Sequence, residues 1–216
     1  MVLCHDGDGR RVAGVDVEIR RATLAEVRSW DAGYGLVNAR GERPFAGQGY
    51  RIPTLEEALR ELPPVRVNVD LKSDEPELVD RFLEVVRRAG AEERVVGASF
   101  RRSTLRRLRA KGFRGETSLA RVEFALMWLA PSFLGCTPPP KCRAQIPTRT
   151  GPFPLDTPRL LEKLRRLGLA VDFWTINDPD DARRLVRLGA DGIMTDDPAR
   201  IVPAVREAER SCAPNP

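Results

Sequence analysis

The segment VNVDLKS, residues 67–73, carries three polar side chains two positions apart: Asn68, Asp70 and Lys72. In an extended strand residues i, i+2 and i+4 share a face, so these three project together while Val67, Val69 and Leu71 take the other face. A strand in a parallel sheet is covered on both sides and reads as a nearly continuous apolar run. An amide, a carboxylate and an ammonium in a row therefore cost stability unless they pair or bind something. One reading is a structural Asp70–Lys72 ion pair. The preferred reading is a site at the strand end, because perturbed charges inside such folds gather at sites.

The residue types suggest the chemistry. A carboxylate is an oxygen ligand for Mg2+ or Ca2+. An ammonium beside it suits a phosphate, as a point charge opposite developing negative charge. His5 is the only histidine of the chain and follows the short apolar run VLC. At a strand end it can give or take a proton near neutral pH. Carboxylate, lysine and histidine at strand ends together point to metal-assisted phosphate ester chemistry, with all three converging at the open end of the strand array. Asp70 alone is too few ligands for a divalent ion, and no other strand end offers an evident partner.

The elements that must position these residues alternate. Strands are predicted at 65–72, 94–100, 115–120, 142–147, 170–177 and 191–196. Between them run amphipathic helices such as EPELVDRFLEVVRRAG, with Leu78, Phe82, Val85, Val86 and Ala89 at helical spacing. TPRLLEKLRRLG, DPDDARRLVRLG and DPARIVPAVREAE each open with Thr or Asp before Pro, an N-cap and first-turn pair, and the first two close on Gly. Such βα units, repeating about every twenty residues, predict parallel strands and an α/β fold. No glycine-rich nucleotide loop is present. A (β/α)8 barrel needs eight strands and about 250 residues; here there are six, and the shortfall lies before residue 65.

With 216 residues, 42% of them hydrophobic and 31% charged, the chain has the composition of a single soluble domain over 1–210 with a short tail at 211–216. The net charge of +5 is spread along helices rather than clustered, which argues against nucleic-acid binding. No stretch approaches a membrane span. Cys4, Cys136, Cys142 and Cys212 lack zinc-site spacing and read as reduced thiols in a cytoplasmic protein, although an oxidising compartment would allow a Cys136–Cys142 bridge. The apolar stretch FALMWLAPSFLG, 124–135, is read as a buried or half-buried helix, with an exposed lip for peripheral membrane contact or a lipid-like substrate as the alternative.

Taken together, VLCHD, TLAEVRSWDAG (23–33), IPTLEEAL (52–59), VNVDLK, ASF (98–100), FWTIND (173–178) and ADGIMTDDP (190–198) resemble, in order, motifs of the glycerophosphodiester phosphodiesterase family of TIM barrels. IPTLEEAL also reads physically as a capping box, Thr54 with Glu57. The resemblance implies metal-dependent hydrolysis of small phosphodiesters to an alcohol and glycerol phosphate. It implies His5 as one of two catalytic histidines, Lys72 on the phosphate, Asp70 as a ligand of Mg2+ or Ca2+ where the family usually has glutamate, and Phe100 and Trp174 beside the substrate. The family's opening His-Arg-Gly strand, Pro-Glu-Asn segment and acidic strand have no counterpart here. The reading is therefore an incomplete barrel lacking its first two strands, with sparse activity and lost cover over Val67, Val69 and Leu71. The alternatives are a non-catalytic binding or scaffold module, a lysophospholipase D-like activity, and an aldolase-type barrel using Lys72 as a Schiff-base lysine, which Asp70 opposes by holding the charge.

Overall fold

A computed structural model of the chain describes residues 1–73, 75–130 and 137–212. It divides into two compact units, Met1–Val65 with Asp80–Ala91, and Arg66–Val79 with Glu92–Pro216.

In the first unit the predicted capping box at Thr54 forms, and a second, not anticipated, forms at Thr23. Thr23 opens the helix Leu24–Ser29 and Thr54 opens the helix Leu55–Glu61. In each, the threonine hydroxyl accepts from the backbone N–H three residues on, and that residue's glutamate accepts from the cap's own N–H. Val27, Trp30 and Ile52 are buried together, with Val2, Cys4 and Val15 packed against them. Arg28 and Glu57 form an ion pair across the two helices. The expected strand before His5 is a correction. Val2 makes one isolated antiparallel bridge to Thr54, Leu3 N–H donates to Pro53 O at 2.9 Å, and His5 lies in the bend that follows. The partner segment turns into helix at Leu55, so the ladder ends after one bridge.

The second unit holds the predicted sheet. Its parallel strands are Val67–Asp70, Val95–Ala98, Glu116–Ser118, Cys142–Ile146, Ala170–Phe173 and Gly192–Ile193, side by side in chain order. All six expected strands are present, each trimmed to its hydrogen-bonded centre. The helices between them begin as the sequence indicates. Thr157 caps Pro158–Arg166, Asp178 caps Pro179–Leu188, and Asp197 accepts from Arg200 N–H at the start of Pro198–Cys212. Gly189 closes the second of these at φ 92°, a left-handed conformation that glycine adopts without steric cost.

The outward faces of the strands make the core, with Ala144, Ile146, Val171 and Phe173 buried against Leu161, Leu164 and Leu185 of the helices. Val69 and Leu71 are buried as well. The expected loss of cover is thus corrected at these two positions, while Val67 is half-buried.

The sheet is curled. Asn68 and Gln145 lie on strands three spacings apart, roughly 14 Å across a flat sheet. Yet Gln145 Nε2 donates to Asn68 Oδ1 at 2.9 Å. Six parallel strands curled in this way form an incomplete barrel whose concave face carries the polar row of the first strand.

Candidate active site

Asp70 is the last residue of its strand, and Lys72 lies two residues beyond it. Lys72 Nζ stands 3.4 Å from Asp70 Oδ2, both side chains part-exposed. The strand end is held by its neighbour: Leu71 N–H donates to Ala98 O at 2.7 Å and Ser99 Oγ donates to Leu71 O at 2.8 Å. Ser99 N–H in turn donates to Ser118 Oγ at 3.1 Å, linking three consecutive strand ends. Lys72 is exposed and paired with Asp70 rather than desolvated, which removes the basis of the Schiff-base reading.

Phe100 and Trp174 leave the ends of the second and fifth strands and meet edge to face, ring centroids 5.8 Å apart. Trp174 N–H donates to Ile146 O, which fixes the approach. The Arg121 guanidinium covers the other ring from 4.5 Å, so Phe100 is held between an indole and a cation. An aromatic wall of this kind at a strand mouth can flank a small organic substrate.

Beneath the mouth, Arg143 reaches Asp172 through two hydrogen bonds of 2.8 and 2.5 Å. Gln145 Nε2 bridges Asp172 Oδ2 and Asn68 Oδ1, and Glu116 lies 3.5 Å from the Arg143 guanidinium. This layer ties the first strand to the fourth and fifth.

His5 is exposed within the first unit. Its Nδ1 lies 2.7 Å from Asp6 Oδ1, and Arg11 Nε donates to Asp6 Oδ2 at 2.7 Å. The Arg11 hydrogen bond, and then that of His5, lower the Asp6 carboxyl to about 2. An ionised Asp6 only accepts, so Nδ1 carries the proton of the neutral ring and Nε2 is the atom left to exchange one. Of the expected site residues, the structure brings together Asp70 with Lys72 and Phe100 with Trp174, while His5 is described with Asp6 and Arg11 alone.

The donor set does not fit a divalent ion. Among the described residues no group of three or more His, Cys, Asp or Glu side chains could hold one. Asp70 brings one carboxylate with an ammonium beside it, too few oxygens to displace the hydration of Mg2+ or Ca2+. Cys4 and Cys142 are free thiols; burial pushes the Cys142 thiol up. Cys136 and the Cys212 side chain lie outside the described residues, as does 131–135 of the apolar stretch. The rest of that stretch forms most of the helix Arg121–Leu129, partly exposed rather than buried all round. No described helix is long and apolar enough to cross a membrane. A cleft of about 940 Å³ lies beside this helix, lined by Trp128, Leu129, Arg159 and Lys163 among others; none of Asp70, Lys72, Phe100 or Trp174 borders it.

Sequence reasoning missed Gln145, Arg143, Asp172 and Arg121. The first three carried a signal: CRAQI and AVDF repeat the alternation of VNVDLK, polar at 143, 145 and 172 between apolar neighbours. Arg121 carried none.

The glycerophosphoryl diester phosphodiesterase family model matches residues 1–200. A protein of Mycobacterium tuberculosis named "Probable glycerophosphodiester phosphodiesterase 2" is 32% identical over 69% of this chain, which spans 58% of that protein's length. Human lysophospholipase D GDPD1 is 24% identical over 93% of the chain and 71% of its own. Among solved structures, an Oleispira antarctica phosphodiesterase in complex with the product sn-glycerol-3-phosphate superimposes with a TM-score of 0.72 at 22% identity, covering 95% of this chain and 79% of that one.

Proposed function

From the premise that this chain belongs to the glycerophosphoryl diester phosphodiesterase family, we propose that it is a phosphoric diester hydrolase converting glycerophosphodiesters to an alcohol and glycerol phosphate. The observation that carries this reading is the Asp70–Lys72 pair at a strand end, on the same sheet mouth as the Phe100–Trp174 wall. Lys72 sets its ammonium against the phosphate oxygens as charge builds on them. Water attacks phosphorus, the bond from phosphorus to the leaving alcohol breaks, and His5 Nε2 takes the water's proton and passes it to the leaving oxygen. Asp70 pairs with Lys72 and orients its ammonium, and Phe100 and Trp174 flank the organic part of the substrate. Dependence on Mg2+ or Ca2+ belongs to this reading only if oxygen donors beyond the described residues join Asp70, so no step is routed through a metal. The reading takes 1–210 as one domain and places it in the cytoplasm.

A second reading replaces the small diester with a lysophospholipid and adds peripheral membrane contact through 124–135, of which 124–130 is described. The apolar exposure of the helix Arg121–Leu129 favours it, as does the substrate in the name of the human relative.

The test is release of choline from glycerophosphocholine, leaving glycerol phosphate, and from lysophosphatidylcholine, leaving lysophosphatidic acid, with Mg2+, Ca2+ or a chelator. His5→Ala is expected to lower turnover about 10²–10⁴-fold, and Lys72→Met about 10²–10³-fold. Full activity in either variant removes that residue from the chemistry. A folded chain without turnover on any substrate would put the scaffold reading first.

A further inference from the structure

The helix Arg121–Leu129 is apolar on every side except at Arg121 and Glu123, and Glu123 is buried and neutralised by Arg109 at 2.8 Å. A helix apolar all round normally lies inside a protein. This one does not. Val122, Leu126 and Leu129, spaced i, i+4 and i+7 on one side, are 46, 50 and 70% exposed. Trp128 extends the surface toward the short hairpin of Arg149–Thr150 and Phe153–Pro154: it stacks on Phe124 and meets the Phe153 ring edge to face at 5.9 Å. Phe153 itself is 57% exposed. Four large apolar side chains on adjoining elements form a patch rather than scattered exposures.

Among the described residues the charges around the patch are mostly cationic. Arg121 opens the helix and Arg149 shares the hairpin with Phe153. Lys163 donates to the carbonyls of Trp128 and Ala130 at 2.9 and 2.6 Å, and lines the adjoining cleft with Arg159 and Arg166. Among the described residues Glu162 is the one carboxylate lining that cleft, and it is paired with Arg166.

We propose that Val122, Leu126, Leu129 and Phe153, fringed by Arg121, Arg149, Arg159 and Lys163, form a docking surface for an anionic lipid bilayer, with the four apolar side chains entering the headgroup boundary. Charge complementarity selects this occupant. An amphipathic surface with cations at its border binds where buried apolar area and attraction to anionic lipid add together. A second copy of the chain would bring the same cations against each other. Arg121 also lies over Phe100, so the lipid-facing edge adjoins the strand mouth. The proposal is independent of catalysis by His5 or Lys72.

The experiment is flotation of the purified chain with vesicles of pure phosphatidylcholine and of phosphatidylcholine with an equal part of phosphatidylglycerol. The expected result is flotation with the anionic vesicles only, weakened by salt. Leu126→Glu with Leu129→Glu is expected to weaken partitioning by about tenfold or more, since both apolar side chains lose their burial at the headgroup boundary. Phe153→Ser, on a separate element, supplies the same comparison if the double variant does not fold. Absence of wild-type flotation overturns the proposal. So does flotation of the apolar variants at wild-type strength, which would mean attraction to a basic surface only. Concentration-dependent dimerisation abolished by the same variants also overturns it, in favour of a second copy.

Discussion

Replacing Asp172 by alanine tests whether the polar layer beneath the strand mouth holds the curl of the sheet. Arg143 and Asp172 are 8 and 7% exposed at the side chain and joined by two hydrogen bonds. Removing one partner of a buried ion pair costs about 3–5 kcal/mol, because the remaining charge is left in a poorly hydrated place. Here Glu116 stays 3.5 Å from the guanidinium and is only partly buried, so it takes up part of the charge. That puts the expected loss near the lower end, about 3 kcal/mol. At 2–4 °C per kcal/mol for a chain of this size, the melting temperature should fall by roughly 6–12 °C. Calorimetry with far-UV circular dichroism measures it. The double variant Arg143→Met with Asp172→Leu should recover most of the loss, since apolar replacement of a whole buried pair is often neutral. A single variant melting within about 2 °C of wild type, or a double variant as weak as the single, would refute the assignment.

Three further outcomes are expected. Thr54→Ala removes the hydroxyl that accepts from Glu57 N–H, and urea unfolding should show a loss of about 1 kcal/mol. Glu57 is held at about 2 by the Thr54 N–H, then by Arg28 and the Thr54 hydroxyl. A depressed carboxylate stabilises above its usual 4.5 and loses that contribution as pH falls through about 2. The stability gap between wild type and Glu57→Gln should therefore be full at pH 7, narrow below 4.5, and close near 2. Gly189→Ala forces a side chain into φ 92° with the Arg165 guanidinium in its path; thermal melts should report a loss of more than about 1 kcal/mol.

The sheet was legible because its signals are local. Each strand lies between turn residues, and each of the last three helices announces itself with Thr-Pro or Asp-Pro. Asp70 and Lys72 were legible because charge in an apolar strand is conspicuous. What sequence could not supply was partnership at a distance. Asn68 and Gln145 are 77 residues apart, and nothing in either segment names the other. Arg121 looked like one more surface arginine until the helix start set it over Phe100. The strand expected before His5 failed for a related reason. VLC has strand composition, but pairing depends on what the neighbouring segment offers, and that segment becomes a helix.

The sheet order bears on how the molecule assembles. Successive strands begin at residues 67, 95, 116, 142, 170 and 192, so each starts 21 to 28 residues after its neighbour. Closing one such loop costs nearly the same chain entropy as closing the next, because the dependence on length is logarithmic. Pairing can then proceed in the order of synthesis, each new strand meeting a finished edge, with no early segment waiting on a distant one. The bridge from Asn68 to Gln145 breaks that pattern, for it cannot form until the fourth strand is in place. It is the latch of the structure: amide exchange at strand centres should slow before the Gln145 side-chain amide becomes protected, and the interval between the two is the lifetime of a paired but still flat sheet.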